Sequence, residues 1–315
     1  MAAHARKIDW VKEGWGLRCE TVDSLLRAVS RIGTFQLGRR YVWRGVRNAG
    51  WPIQSSLQRN IGRLMPSFDY SSEANIREAE RVLIKAAREW RLDAAGTLTD
   101  QALLALMQHH DSPTRLLDVT SDPMTALWFA TESSTNGERN TSGALFAFDV
   151  TDAPSLHTSA ALNPATYGSI DNPGWHLARA IVDTCETRQP CVLDPSIRDD
   201  RMASQQGLFL FGSTPDHPII DGIDAFEFDP RAKAPGSETL THTLTTNRRQ
   251  GRPPRLPFVA LVFPPGIKRT LRIHLETTYN RSRPVLFPDF AGLAAAVRLN
   301  AISWPALGPD AKLTV

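Results

Sequence analysis

Residues 108–132 read QHHDSPTRLLDVTSDPMTALWFATE, and this stretch guides the interpretation of the whole chain. The apolar run around Leu116 and Leu117 predicts a buried strand. After it, Asp122 as N-cap and Pro123 at the first helical position predict the start of a helix. A buried strand that carries Arg115 and Asp118 is unusual, because a charge out of water is costly unless it is paired and hydrogen-bonded. Each of these two charges therefore needs a partner.

Arg115 and Asp118 do not neutralise one another on a straight strand, because residues three apart point to opposite faces. Arg44, in the segment Trp43-Arg44-Gly45, is a natural partner. Two hypotheses remain open. In the first, Arg44, Arg115 and Asp118 form a buried ion network that stabilises the fold. In the second, Arg44 and the helix N-terminus after Asp122 bind an anionic ligand, although Asp122 as the cap competes with an anion there.

Length and composition favour one folded α+β domain over residues 1–315, because no repeat or long linker divides the chain. Its 315 residues are 42% hydrophobic and 22% charged, with a net charge of +3. No apolar run approaches the ~20 residues that cross a bilayer. The first ten residues lack the apolar core of a signal peptide, and three cysteines give no even disulfide set or metal spacing. We therefore expect a cytoplasmic protein with no membrane contact and no metal.

Hydrophobic periodicity predicts the secondary structure. Gly33 is expected to end the first helix, and Trp90 to lie on the apolar face of the second. The predicted helices cover 20–33, 72–92, 99–110, one near 175–187, and segments that begin at 266 and 288. The predicted strands cover 39–46, 114–120, 143–150, 206–212 and 257–265, with further short strands in 217–229.

Several motifs, in order, give the chain a resemblance to the FRG domain family, named for a Phe-Arg-Gly motif. The resemblance covers about residues 20–300. Departures occur at Trp43 in place of Phe, at His110, at Asp111 (usually Gly) and at Val119 (usually Trp). The matching residues are Arg44, Gly45, Gln108, His109, Pro113, Thr114, Arg115, Leu116, Leu117, Asp118, Thr120, Pro123, Ala126, Phe129, Ala130, Arg201, Gln205, Gly207, Phe209 and the segment 286–293.

The order of these elements also resembles ADP-ribosyltransferase folds, which implies a mixed, split β-sheet core flanked by helices, with NAD as the substrate. The sequence contains no GxGxxG or Walker loop, so it does not indicate a doubly wound nucleotide-binding fold. The resemblance implies catalytic roles for Arg44, Asp118, Gln205 and Gln206. It implies NAD contacts from Trp43, Arg44, Gly45, His109, Thr114, Arg115 and Thr120. His109 is alternatively a hydrogen-bonded core residue.

Cleavage of the nicotinamide–ribose bond builds oxocarbenium character, which a carboxylate stabilises. The third motif carries an amide, so Asp118, Glu132, Glu186 and Glu227 are the candidate carboxylates. Three functions stay open: an ADP-ribosyltransferase that acts as a toxin or phage-defence effector on a protein or nucleic acid, an NAD glycohydrolase, and a non-catalytic module that binds a nucleotide or peptide. Basic clusters at 247–255 and 268–272 favour an anionic macromolecular acceptor. The sequence leaves the acceptor and the oligomeric state open.

Overall fold

The computed structural model describes residues 7–35, 38–65, 69, 71–93, 98–132, 141–158, 188–195, 200–245 and 255–298. The strands are β1 (Gly16–Arg18), β2 (Tyr41–Val46), β3 (Leu117–Thr120), β4 (Gly143–Asp149), β5 (Ser155–Thr158), β6 (Cys191–Pro195), β7 (Gly207–Phe211) and β8 (Phe258–Phe263). The helices are α1 (Val22–Phe35), α2 (Ser56–Leu64), α3 (Glu73–Glu89), α4 (Asp100–His109), α5 (Pro123–Ala130), α6 (Asp200–Ser204), α7 (Ser237–Thr245), α8 (Pro265–Thr278), α9 (Arg283–Leu286) and α10 (Phe290–Arg298). Among these helices, none has the length and apolar character of a membrane span.

The eight strands form one mixed sheet in the order β1-β8-β4-β2-β3-β7-β6-β5. β1 with β8 and β5 with β6 are parallel pairs, and the other neighbours are antiparallel. Helices pack on the sheet, so the predicted α+β class with a mixed sheet and flanking helices is confirmed.

The sheet is divided between β2 and β3. Six consecutive residues of β2, from Tyr41 to Val46, pair with β4, whereas its pairing with β3 consists of Trp43 opposite Thr120. Beyond that point the two strands are not paired with one another. The two halves of the sheet are therefore joined at a narrow place, and a gap opens where Arg44 and Asp118 lie.

Hydrophobic side chains cover both faces of the sheet at β4 and β8, which explains why these two strands have almost no polar residues. All seven residues of β4 are buried. Phe146 and Phe148 pack against Phe258 on one face. Leu145 and Ala147 belong to the cluster on the opposite face, which includes α5. A strand that is buried on both faces reads as a continuous apolar run.

Helix α5 crosses β2 at Gly45, at van der Waals distance from the backbone. A Cβ atom on Gly45 would stand 1.7 Å from the carbonyl oxygen of Ala126, so only glycine fits. The helix begins as predicted: Pro123 occupies its first turn, and the Asp122 carboxylate accepts hydrogen bonds of 3.0 Å from the amides of Met124 and Thr125. The glycine of the Trp43-Arg44-Gly45 motif thus has a packing role.

Some sequence predictions are wrong in detail. Gly33 lies inside α1, which continues to Phe35, because the position faces open space, where a helical glycine costs only about 1 kcal/mol. Trp90 is 78% exposed and caps the C-terminus of α3. Residues 217–229 contain a single isolated bridge, between Ile53 and Ile223, in place of the expected strands. The helix predicted near 175–187 lies outside the described residues.

Candidate active site

A cavity of about 240 Å³ opens where β2 and β3 diverge. Its walls come from β2, the end of α4, β3, α5, and the segment from α6 into β7. Among the predicted site residues, those that line it are Trp43, Arg44, Gly45, His109, Asp118, Thr120 and Gln205.

Arg44 spans the gap between the two halves of the sheet. Its Nη1 donates a 2.6 Å hydrogen bond to the backbone carbonyl of Asp118, while the nearest approach to the Asp118 carboxylate is 3.9 Å. The side chain is only 19% exposed, and burial lowers the pKa of its guanidinium. Because a neutral carbonyl anchors the group and a guanidinium has five N–H donors, its positive charge is held in place with donors available to a ligand.

Asp118 is placed at the mouth of the cavity with its side chain 60% exposed. The amide nitrogen of Gln108, on the last turn of α4, donates a 2.8 Å hydrogen bond to its Oδ2. Asp118 is therefore oriented by a neutral donor while it lies beside the Arg44 guanidinium, so a cation and a carboxylate face the same space without a close ion pair.

Thr120 and Gln205 connect the two walls on the other side of the cavity. The Thr120 hydroxyl donates to the Gln205 carbonyl at 2.7 Å, and the Gln205 side-chain amide donates to the Leu286 carbonyl at 2.8 Å. Gln206 turns away: its backbone has φ of +47°, and its side-chain oxygen accepts a 3.0 Å hydrogen bond from Ser121. Of the two glutamines predicted at this position, Gln205 lines the cavity and Gln206 does not.

Arg115 belongs to a different site, so the predicted network of Arg44, Arg115 and Asp118 is wrong. Arg115 is 2% exposed and contacts Glu80 at 2.8 and 2.6 Å and Glu73 at 3.0 Å. Burial tends to lower the pKa of Arg115, but the charges of Glu80 and Glu73 outweigh it and the net shift is upward. Burial raises the pKa of Glu80 against the opposing charge of Arg115. The ion network here is structural.

Thr114 does not line the cavity either, but it is connected to it. Its fully buried hydroxyl donates a 2.6 Å hydrogen bond to the side-chain oxygen of Gln108, which in turn holds Asp118. Thr114, which was predicted to contact NAD, is thus linked to the cavity through Gln108.

Several cavity residues were not expected as site residues. For Gln108 and Arg201, the only indication of a role in the site was that they occur in the motifs quoted above. Arg201 lies with its guanidinium 4.7 Å from the ring centre of Phe287. Asp111 has φ of +60°, and Phe129 of α5 adds an aromatic wall.

The alternative carboxylates lie elsewhere. Glu132 forms an ion pair with Arg283. Glu227 lies 3.9 Å from Arg188, and burial raises its pKa. Glu186 is outside the described residues.

The helix N-terminus considered as an anion site is occupied by the Asp122 carboxylate, which also pairs with Arg281 at 2.8 Å. Within the described ranges, no group of three His, Cys, Asp or Glu side chains could hold a metal ion.

Comparison with known proteins bears on part of the chain. The FRG domain model matches residues 39–139, which contain Arg44, Gln108 and Asp118 but not the wall formed by Gln205. No curated protein and no solved structure matches the chain. The resemblance to ADP-ribosyltransferases thus stays a prediction, whereas the predicted resemblance to the FRG domain is confirmed for residues 39–139. The similarity of this chain to the FRG domain thus extends over residues 39–139.

Proposed function

We propose that this protein binds NAD in the cavity between β2 and β3 and transfers its ADP-ribose group to a macromolecular acceptor. One observation carries the proposal: Arg44, Asp118 and Gln205, which come from three separate segments, line one cavity at the division of the sheet. A buried cation and a carboxylate held apart in a cleft are typical of functional sites.

The cavity has the chemistry that a dinucleotide requires. Arg44 and Arg201 offer guanidinium groups, which bind phosphate oxygens through paired hydrogen bonds. Trp43 and Phe129 offer aromatic surface for a planar ring. Its volume of about 240 Å³ lies below the ~300–1,000 Å³ of pockets that enclose a whole drug-sized ligand. We therefore infer that the cavity encloses the nicotinamide–ribose end, with the adenosine end outside.

In the proposed reaction, the bond between the nicotinamide nitrogen and the ribose C1′ breaks, and its electron pair leaves with nicotinamide. Positive charge develops on the ribose, and the Asp118 carboxylate stabilises it. A nucleophile of the acceptor attacks C1′ and releases one proton. Gln205 contributes no charge to this step, because its side chain is an amide.

Two further functions remain as alternatives. In an NAD glycohydrolase, water replaces the acceptor, and the cavity chemistry is unchanged. A non-catalytic nucleotide-binding module is favoured by Gln205, whose amide is bonded to the Leu286 carbonyl in the manner of a structural residue. Of the two basic clusters that favour an anionic acceptor, 268–272 lies in α8, and residues 247–254 of the other lie outside the described residues.

The experiment incubates the protein and a cell extract with NAD labelled on its adenosine half. We expect free nicotinamide and label on a macromolecule, and loss of both in Arg44→Ala. Arg40→Ala is the matched control, because Arg40 is an exposed arginine just before β2 that does not line the cavity. Label only on free ADP-ribose would identify the glycohydrolase, and intact NAD that stays bound would identify the binding module. Expression of the same variants in bacteria, with and without phage, tests a cytoplasmic toxin or defence role.

A further inference from the structure

Gln108 joins the cavity to the buried polar groups behind it. Its side-chain nitrogen donates to Asp118 Oδ2 at 2.8 Å. Its side-chain oxygen accepts from the Thr114 hydroxyl at 2.6 Å and lies 3.2 Å from the Ser56 hydroxyl. The three partners come from β3, the segment before β3, and the first residue of α2, so the amide connects three parts of the fold.

The orientation of this amide follows from the bonding capacity of its neighbours. A carboxylate only accepts hydrogen bonds, so the NH₂ end of Gln108 must face Asp118. The opposite end faces hydroxyls that can donate. The Thr114 hydroxyl already accepts a 3.1 Å hydrogen bond from the Leu116 amide, which leaves its proton for the Gln108 oxygen. Flipping the amide would therefore break favourable bonds at both ends.

The position of Gln108 bears directly on the pair formed by Arg44 and Asp118. The carboxylate lies 3.9 Å from the guanidinium, which is the distance of a loose ion pair. A free carboxylate on an exposed side chain would be drawn to Arg44, and a close pair would neutralise the cation that is to meet the ligand. The hydrogen bond from Gln108 is made to Oδ2, the same carboxylate oxygen that lies 3.9 Å from Arg44.

We propose that Gln108 is a positioning residue that holds the Asp118 carboxylate apart from Arg44, so that one charge is available to the phosphate and the other to the ribose of the substrate. This inference deepens the proposed function and rests on it. Thr114 and Ser56 act one step further back, because they set the direction of the Gln108 amide.

The test is a double-mutant cycle on nicotinamide release from NAD. Gln108→Met preserves the length of the side chain and removes its polar atoms. We expect it to lower kcat/KM about tenfold, since the lost hydrogen bond has a charged but partly exposed acceptor. In an Asp118→Ala background, where Gln108 has no acceptor at position 118, the same substitution should change the residual kcat/KM less than twofold. An equal loss in both backgrounds would mean a merely structural role and would overturn the proposal.

Gln101→Met is the matched control. Gln101 is buried on the same helix, its side-chain nitrogen has no hydrogen-bond partner, and it does not line the cavity. We expect no change in kcat/KM and no loss of thermal stability for this variant. If Gln101→Met lowers turnover as much as Gln108→Met, the positioning role is refuted, because the effect then belongs to the helix as a whole.

A second readout separates this inference from the proposed function. In protein labelled with ¹³C at the aspartate carboxyls, the Asp118 resonance is identified by its disappearance in Asp118→Asn. We expect it to move in Gln108→Met and to stay in place in Gln101→Met, whether or not NAD is cleaved. Absence of nicotinamide release from the parent protein would refute the proposed function alone. If the Asp118 resonance does not move in Gln108→Met, the positioning role alone would be refuted.

Discussion

Substitution of Arg115 by methionine tests the assignment of this arginine to the fold instead of the ligand site. The change removes the ion contacts of 2.8 and 2.6 Å to Glu80 and of 3.0 Å to Glu73. Glu80 is fully buried, so its carboxylate is left without a partner inside the protein. Removal of one member of a buried pair costs about 3–5 kcal/mol. For a chain of this size, that corresponds to a decrease in Tm of roughly 5–8 °C.

The loss of stability should depend on pH, with a sign set by Glu80. Burial raises the pKa of this carboxyl above its ordinary value of 4.5 in the folded state. A raised folded pKa contributes stability at acidic pH, which is lost as the pH rises through that pKa. Arg115→Met removes the charge that opposes the upward shift. The difference in unfolding free energy between parent and variant should therefore become smaller as the pH falls from neutral towards 4.5. It should not reach zero, because the variant also lacks the contact between Arg115 and Glu73.

Urea unfolding at several pH values measures both effects. Arg27→Met is the matched control, since Arg27 pairs with Asp23 at 2.9 Å on the surface of α1, where such a pair contributes about 0.3–0.5 kcal/mol. A cost for Arg115→Met as small as that of Arg27→Met would refute the buried network as a stabilising feature. A pH-independent difference would show that Glu80 is not the cause.

Further substitutions test the remaining assignments. Gly45→Ala places a methyl group against the Ala126 carbonyl, which no side-chain movement relieves, so we expect at least ~3 kcal/mol of destabilisation in thermal unfolding. A cost below ~1 kcal/mol would contradict this packing of α5 on β2. Asp122→Ala removes the cap of α5 and should cost about 1–2 kcal/mol in urea unfolding, whereas Asp122→Asn, an equally good cap, should retain most of that stability. Arg201→Met should weaken NAD binding, measured by calorimetry, about tenfold with an unchanged Tm, and equal affinity would exclude Arg201 from the ligand site.

Most of the longer elements were predictable from local pattern. The periodicity of apolar residues gave α1, α3, α4 and the buried strands β4, β7 and β8, because one face or both faces of each must meet the core. The strands β1, β5 and β6 were missed. They have three to five residues and exist because a neighbouring strand offers hydrogen bonds, which a local pattern does not contain.

The candidate site was predictable only in part. As the motif order implied, the cavity is lined by Trp43, Arg44, His109, Asp118 and Gln205. The assignments of Arg115 and Gln206 could not be made from sequence. The partner of Arg115 lies 35 positions earlier on α3, and the backbone twist at Gln206 turns its side chain towards Ser121.

The sequence by itself determined which residues carry charge and where helices begin, because caps such as Asp122-Pro123 and apolar spacing act over a few neighbouring residues. Only the tertiary structure decided which polar group each charged side chain contacts. Arg44, within β2, donates to a backbone carbonyl, whereas Arg115, two residues before β3, pairs with two carboxylates. The free energy of a buried charge depends on the groups that the fold brings next to it. The separation of two residues along the chain does not tell how far apart they lie in space.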